Sequence, residues 1–129
     1  MNNKDRASNA IKWIDSLAVT EAAQGCSQLG DAVSGNCCLG YGCHILGIDY
    51  EASYPIEPAF SNSVGLHGDY GQTAARVNDI IDYIGCLALM NDEGYTFAEI
   101  AKVLRTKPYR FFKARVAKLI KDNYREVSV

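Results

Sequence analysis

The sequence predicts a mainly helical α+β fold of four to five helices with a small β-hairpin and a helix-turn-helix-like C-terminal pair, all in a single domain over residues 1–129. Three observations carry that expectation. Apolar residues recur at helical spacing in several separate stretches. Residues 24–36, rich in Gly, Ser, Asp and Asn, have the composition of a loop or short hairpin. A chain of 129 residues can bury most of one core and needs no second domain.

Taken in order, Ala7, Ala10, Ile11, Ile14, Leu17 and Ala18 place an amphipathic helix over residues 6–18, with Trp13 off the centre of its stripe. Within residues 24–36 only Leu29 and Val33 suit a strand. Residues 37–48 are apolar, and the small side chains of Cys38, Gly40 and Gly42 suit a short buried helix approached by another backbone. Residues 48–72 hold prolines and glycines without sustained period, which predicts a loop-rich stretch with part of a hairpin or a short helix near Glu57 to Ser63. From Ala74 to Met90, the set Val77, Ile80, Ile81, Ile84, Leu87 and Ala88 gives the strongest helical pattern of the chain. It predicts a long core helix closed by Asn91, Asp92, Glu93 and Gly94. Thr96 and Glu99 have capping-box spacing and open a helix continued by Phe97, Ile100, Ala101 and Leu104. Pro108 suits the first turn of a last helix whose apolar face is Tyr109, Phe112, Val116, Leu119 and Ile120.

The charge is divided unevenly. Residues 1–101 hold four Lys or Arg against thirteen Asp or Glu, a balance of −9, whereas residues 102–129 hold nine against two, a balance of +7. An acidic body followed by a basic segment points to an anionic partner or to association of opposite patches, including a homo-oligomer. Arg105, Thr106 and Lys107 join the two C-terminal helices, as the turn of a helix-turn-helix does, although Arg105 stands where a turn glycine is usual. On the last helix, Arg110, Lys118, Lys121 and Arg125 project opposite the apolar stripe, and Phe111 falls among them. An aromatic among cations can stack on a base. Arg105, Lys107, Arg110, Phe111, Lys118, Lys121 and Arg125 are therefore the expected site for nucleic acid or another polyanion.

Other chemistry finds little support. Five cysteines are an odd number, and Cys37 and Cys38 are adjacent, so a full intrachain disulfide framework is excluded and reduced thiols are expected. Cys26, Cys37, Cys38, Cys43, His44 and His67 include zinc-type ligands but lack Cys-x-x-Cys or His-x-x-x-His spacing, so no metal is expected. Cys43 and His44 are neighbours and diverge, which disfavours a nucleophile pair. Gly65, Gly68 and Gly71 match neither a dinucleotide fingerprint nor a phosphate loop and suit turns. No catalytic residue and no cofactor are expected, and a binding protein is favoured over an enzyme. The first six residues lack the apolar run of a signal peptide, and no stretch approaches the roughly 18 apolar residues of a membrane span, so a cytoplasmic protein is expected.

A set of short motifs then comes together: Lys12-Trp13-Ile14 with Leu17, Gln24-Gly25, Cys37-Cys38-Leu39-Gly40 with Cys43, Gly65-Leu66, Leu89 with Asn91-Asp92, Gly94, Thr96-Phe97 and Ile100-Ala101. In this order they resemble a family of small phage and prophage proteins of unassigned function, over residues 12 to about 104. Tyr41 stands where that pattern has Val, and Thr96 where it has Ser. Its members tend to end near the Ile-Ala helix, which makes the basic stretch from Arg105 an elaboration of this chain. The resemblance implies a mobile-element accessory protein acting by stoichiometric binding, in a host-cell cytoplasm if phage-encoded. The basic helix would engage nucleic acid or another anionic ligand. The alternatives are inhibition of a host or anti-phage defence protein, and sequestration of a signal nucleotide near Gly65 to Tyr70.

Overall fold

Asn2 begins the first helix, α1 (Asn3–Val19): its side chain accepts the amide of Asp5 at 2.8 Å, and the Asp5 carboxylate lies in the positive first turn. A computed structural model describes residues 1–25, 28–31, 35–51, 53, 57–67, 76–77, 80–81 and 87–127. Helix α1 buries Ala7, Ala10, Trp13, Ile14 and Leu17. That arc is rotated from the expected stripe toward Trp13, leaving Ile11 and Ala18 half-buried, as four other helices pack around α1. Trp13 is consequently in the core, edge-on to Phe60 at 4.9 Å, with its Nε1 donating to the Cys38 carbonyl at 3.1 Å.

Of the loop or short hairpin that the composition of the turn-rich segment allows, the structure has paired strands, though not at Leu29, and Val33 lies outside the described residues. Strands β1 (Gly30–Asp31) and β2 (Gly35–Asn36) pair antiparallel, Gly30 opposite Asn36 and Asp31 opposite Gly35. Helix α2 (Cys38–Leu46) follows, buried from its first residue through Cys43. Cys37 caps it through its thiol, which accepts the Gly40 amide at 3.4 Å. Gly40 carries no Cβ for a packing reason, because a Cβ there would collide with the carbonyl of Leu29. At the other end Gly47 adopts a left-handed φ of +68°, which ends the helix. Helix α3 (Pro58–Val64) begins where the short helix is expected, capped by Glu57, and buries Phe60.

Within the helix expected over residues 74–90 the described residues divide: strand β3 (Arg76–Val77) pairs antiparallel with β4 (Ile80–Ile81), whereas α4 (Leu87–Asp92) is helical as expected through Met90. The i, i+3, i+4 recurrence of Val77, Ile80 and Ile81 has a second solution, in which Val77 pairs with Ile80 and Ile81 with Arg76 and the β-branched side chains suit strands. Ile84 lies outside the described residues. Helix α5 (Phe97–Thr106) has the full capping box, Thr96 Oγ1 accepting from the Glu99 amide and Glu99 Oε1 from the Thr96 amide, both at 3.1 Å.

The C-terminal segment is broken where one continuous helix is expected. Pro108–Arg110 form a 3-10 turn and α6 (Ala114–Val127) starts three residues later, so seven residues separate α5 from α6. The connection is longer than the three- to four-residue turn of a helix-turn-helix. The cause of the break is a backbone bridge: Leu66 pairs antiparallel with Phe112, the His67 amide donates to the Phe111 carbonyl and the Lys113 amide to that of Gly65, both at 2.8 Å. Phe111, Phe112, Val116, Ala117 and Ile120 join the buried cluster that begins at Ala7. The basic segment thus supplies core as well as charge.

Gly40 and Gly47 separate two uses of glycine. Gly40→Ala is expected to lower unfolding free energy by about 3 kcal/mol, since the gain in helix propensity cannot offset overlap with a backbone carbonyl. Gly47→Ala, with open space but a left-handed backbone, is expected to cost about 1 kcal/mol. Urea titration of both variants checks the order, and equal losses would refute it.

Candidate nucleic-acid interface

The short motifs of the sequence converge on a buried polar junction. Asn91, 1% exposed at the end of α4, accepts at Oδ1 from the Cys38 amide at 3.1 Å and from Gln24 Nε2 at 2.8 Å, and its Nδ2 donates to the Gly25 carbonyl at 2.7 Å. Gln24 Nε2 also reaches the Tyr95 carbonyl at 2.7 Å. Cys38 is the first residue of α2, so Asn91 satisfies an amide that has no partner within its own helix. Tyr41 shares a hydrogen bond with Ser16 at 2.6 Å and tilts against Phe97. Gln24-Gly25, Cys37-Cys38 and Asn91 are therefore joined as a scaffold, with Gln24-Gly25 half-buried at its edge and the rest in the interior.

The basic residues form the exposed counterpart. In α6 the residues Val116, Ala117 and Ile120 face the core, and Lys118, Lys121 and Arg125, spaced i, i+3 and i+7, lie on the opposite side. Lys107, Arg110, Lys113 and Arg115 are also exposed. Two of the cations are held by neighbours on this face. Lys118 pairs with Asp122 at 3.0 Å, one helical turn on, and Lys121 Nζ lies 5.7 Å from the centre of the Tyr109 ring. Arg105 is half-buried, its guanidinium 5.9 Å from the centre of the Tyr124 ring, while Tyr124 donates to Asp15 at 2.7 Å.

Phe111 corrects the expected site. It is fully buried, with no exposed surface, and Tyr109, expected in the core, is 49% exposed. The 3-10 turn and the bridge at Phe112 shift the side-chain phase relative to a continuous α-helix from Pro108, which exchanges the two aromatics. The signal that was legible is Pro108 itself, three residues ahead of a run too apolar, Phe111-Phe112, to lie on two faces of one exposed helix.

The thiols and imidazoles are placed differently. Cys37, Cys38 and Cys43 are buried, His44 is exposed and His67 half-buried, and Cys26 lies outside the described residues. Among the described residues no three His, Cys, Asp or Glu gather in a metal-binding group. Burial pushes the Cys38 thiol well above its ordinary range, and burial with the nearby negative charge of Glu57 raises Cys43 to about 12. A thiol held neutral in this way is a poor nucleophile. Tyr124 is also raised, by burial first and then by its hydrogen bond to Asp15. A cleft of about 400 Å³ between α1 and α6 is lined by Lys4, Ile11, Leu119 and Asp122 among others. The nucleotide pocket expected near Gly65 to Tyr70 falls partly outside the described residues, since Gly68, Asp69 and Tyr70 are not among them. Among the described residues no helix is long and apolar enough to cross a membrane.

Comparison with protein families, with curated proteins and with solved structures finds no match to this chain.

Two outcomes follow from the buried groups. Asn91→Ala leaves the Gly25 carbonyl and the Cys38 amide without this partner in a buried setting, and is expected to cost about 3 kcal/mol in chemical denaturation, or to prevent folding. A loss below about 1 kcal/mol would remove Asn91 from its scaffold role. The raised folded-state thiol means that the stability from a neutral Cys43 is complete below its ordinary value of 9.0 and is lost as pH rises from there toward about 12. Under reducing conditions the wild-type protein should lose stability more steeply above pH 9 than Cys43→Ala. Parallel curves would show that this thiol is not responsible.

Proposed function

We propose that this chain acts by stoichiometric binding and not by turnover, in the cytoplasm, through a basic C-terminal face that engages nucleic acid or another polyanion. The observation that carries the proposal is the exposure of Lys107, Arg110, Lys113, Arg115, Lys118, Lys121 and Arg125 on one short segment that is anchored in the core by Phe111, Phe112, Val116, Ala117 and Ile120. Packing fixes the helix, so the charges are presented without the ordering cost that a free basic tail would bear on binding. The motif resemblance adds the context of a phage-type accessory protein. Under this reading Arg105, which lies over Tyr124, positions the helix more than it contacts the ligand.

A second reading, inhibition of a host or defence protein, is favoured by Leu119, which is 39% exposed beside the cleft between α1 and α6. The two differ in salt response. Neutralising phosphates releases counterions, so four contacts to a single strand would give a slope of about −3 in log affinity against log salt. Fluorescence anisotropy with labelled DNA and RNA across a salt series is expected to show micromolar or tighter binding at low salt. That binding should be lost in Arg110→Glu/Lys121→Glu while the circular dichroism melt stays unchanged. Absence of binding at low salt would overturn the proposal in favour of a protein partner.

A further inference from the structure

Tyr109 is the aromatic that the basic face presents. It sits in the 3-10 turn between Pro108, which is buried, and Arg110, which is exposed. Nearly half of its surface is open to solvent, and Lys121 Nζ stands 5.7 Å from the ring centre. The turn fixes its backbone at both ends: the Arg110 amide donates to the Lys107 carbonyl at 3.1 Å and the Phe112 amide to that of Pro108 at 2.9 Å. Phe111 and Phe112 beyond it are anchored in the core. A ring on so short and fixed a turn has little freedom to lose on binding.

Duplex and single strand make different use of such a group. A duplex keeps its base faces inside its own stack and offers phosphates and base edges, whereas a single strand offers unstacked faces to an aromatic side chain between cations. A purely electrostatic surface would have no need of an exposed ring beside its cations. We infer that this face takes single-stranded nucleic acid, with Tyr109 stacking on an unpaired base and Lys107, Arg110 and Lys121 meeting the flanking phosphates. The inference rests on the polyanion reading above and narrows it to one ligand class. Exposure of Tyr109 also makes its replacement compatible with an intact core.

The test compares wild type, Tyr109→Ala and Tyr109→Phe in anisotropy with labelled oligonucleotides of about 12 nucleotides, as single-stranded DNA, single-stranded RNA and the matching DNA duplex. Wild type is expected to prefer single strands. Tyr109→Ala should weaken single-strand binding by about tenfold and leave duplex binding within about twofold, with Tyr109→Phe close to wild type. The DNA and RNA arms identify which sugar the strand carries, and preference for either supports the inference. Tyr109→Trp adds a direct readout: its emission should be quenched on adding a single strand, against the constant background of buried Trp13. Equal binding of single strand and duplex, unaffected by Tyr109→Ala, would overturn stacking while leaving a charge-driven surface in place. No binding of any oligonucleotide to wild type at low salt would overturn both.

Discussion

The start of α2 lies in the interior, residues 35–43 being buried throughout, where water cannot satisfy the amides that a helix leaves open at its first turn. Each such group left unpaired costs about 1–3 kcal/mol, enough to erase much of the stability of a small domain. Cysteine is a weak cap, and its long contact to the Gly40 amide would not suffice alone. Asn91 completes the first turn from another element, and in doing so ties α4 to α2 and to the Gln24-Gly25 loop. Gly40 permits the Leu29 backbone to lie against the same end of α2. The arrangement of Trp13, α2 and α4 follows from this junction, since the indole donates to Cys38, the same residue whose amide Asn91 holds.

A second backbone constraint shapes the surface. Pairing of Leu66 with Phe112 interrupts the helix over residues 111–113 and joins the chain after α3 to the entry of α6. Two aromatics enter the core together as a result, Phe112 reaching Trp13 at 6.4 Å. Each contributes about 2–3 kcal/mol of burial, which firmly seats the basic helix on α1. The same break turns Tyr109 outward. The bridge thus links the packing of the core to the composition of the exposed face.

Where helical periodicity or a capping box is present the sequence was legible: α1 and the Thr96-capped α5 lie where their residues place them, while α2 and α3, which lack a sustained period, form the short helices that were one reading of their composition. The failures share a physical cause. At Val77, Ile80 and Ile81 the helical pattern coincides with that of two paired strands, and the β-branched side chains tip the balance toward strands. At Phe111 the decisive partner is Gly65-Leu66-His67, some 45 residues earlier, and no local pattern encodes a contact at that distance. Charge needed no such partner to be read. The basic residues on α6 are exposed as projected because helical phase from Ala114 onward is undisturbed.

The division of charge also bears on how a polyanion would be met. A net charge of −2 implies weak repulsion from nucleic acid at long range, and at low salt that field reaches tens of ångströms. At physiological ionic strength the screening length falls to about 8 Å, so an approaching strand senses the local face and not the molecular total. Lys107, Arg110, Lys118, Lys121 and Arg125 then act on it, with Asp122, 3.0 Å from Lys118, the carboxylate that offsets part of that charge on α6 itself. Electrostatic steering over distance would be poor, and orientation would be strong: only an approach that presents the basic side is attractive. A chain with its charge mixed evenly over the surface would have the same total and neither property. Separation of charge, held in place by the burial of Phe111 and Phe112, is what gives this small domain a face with direction.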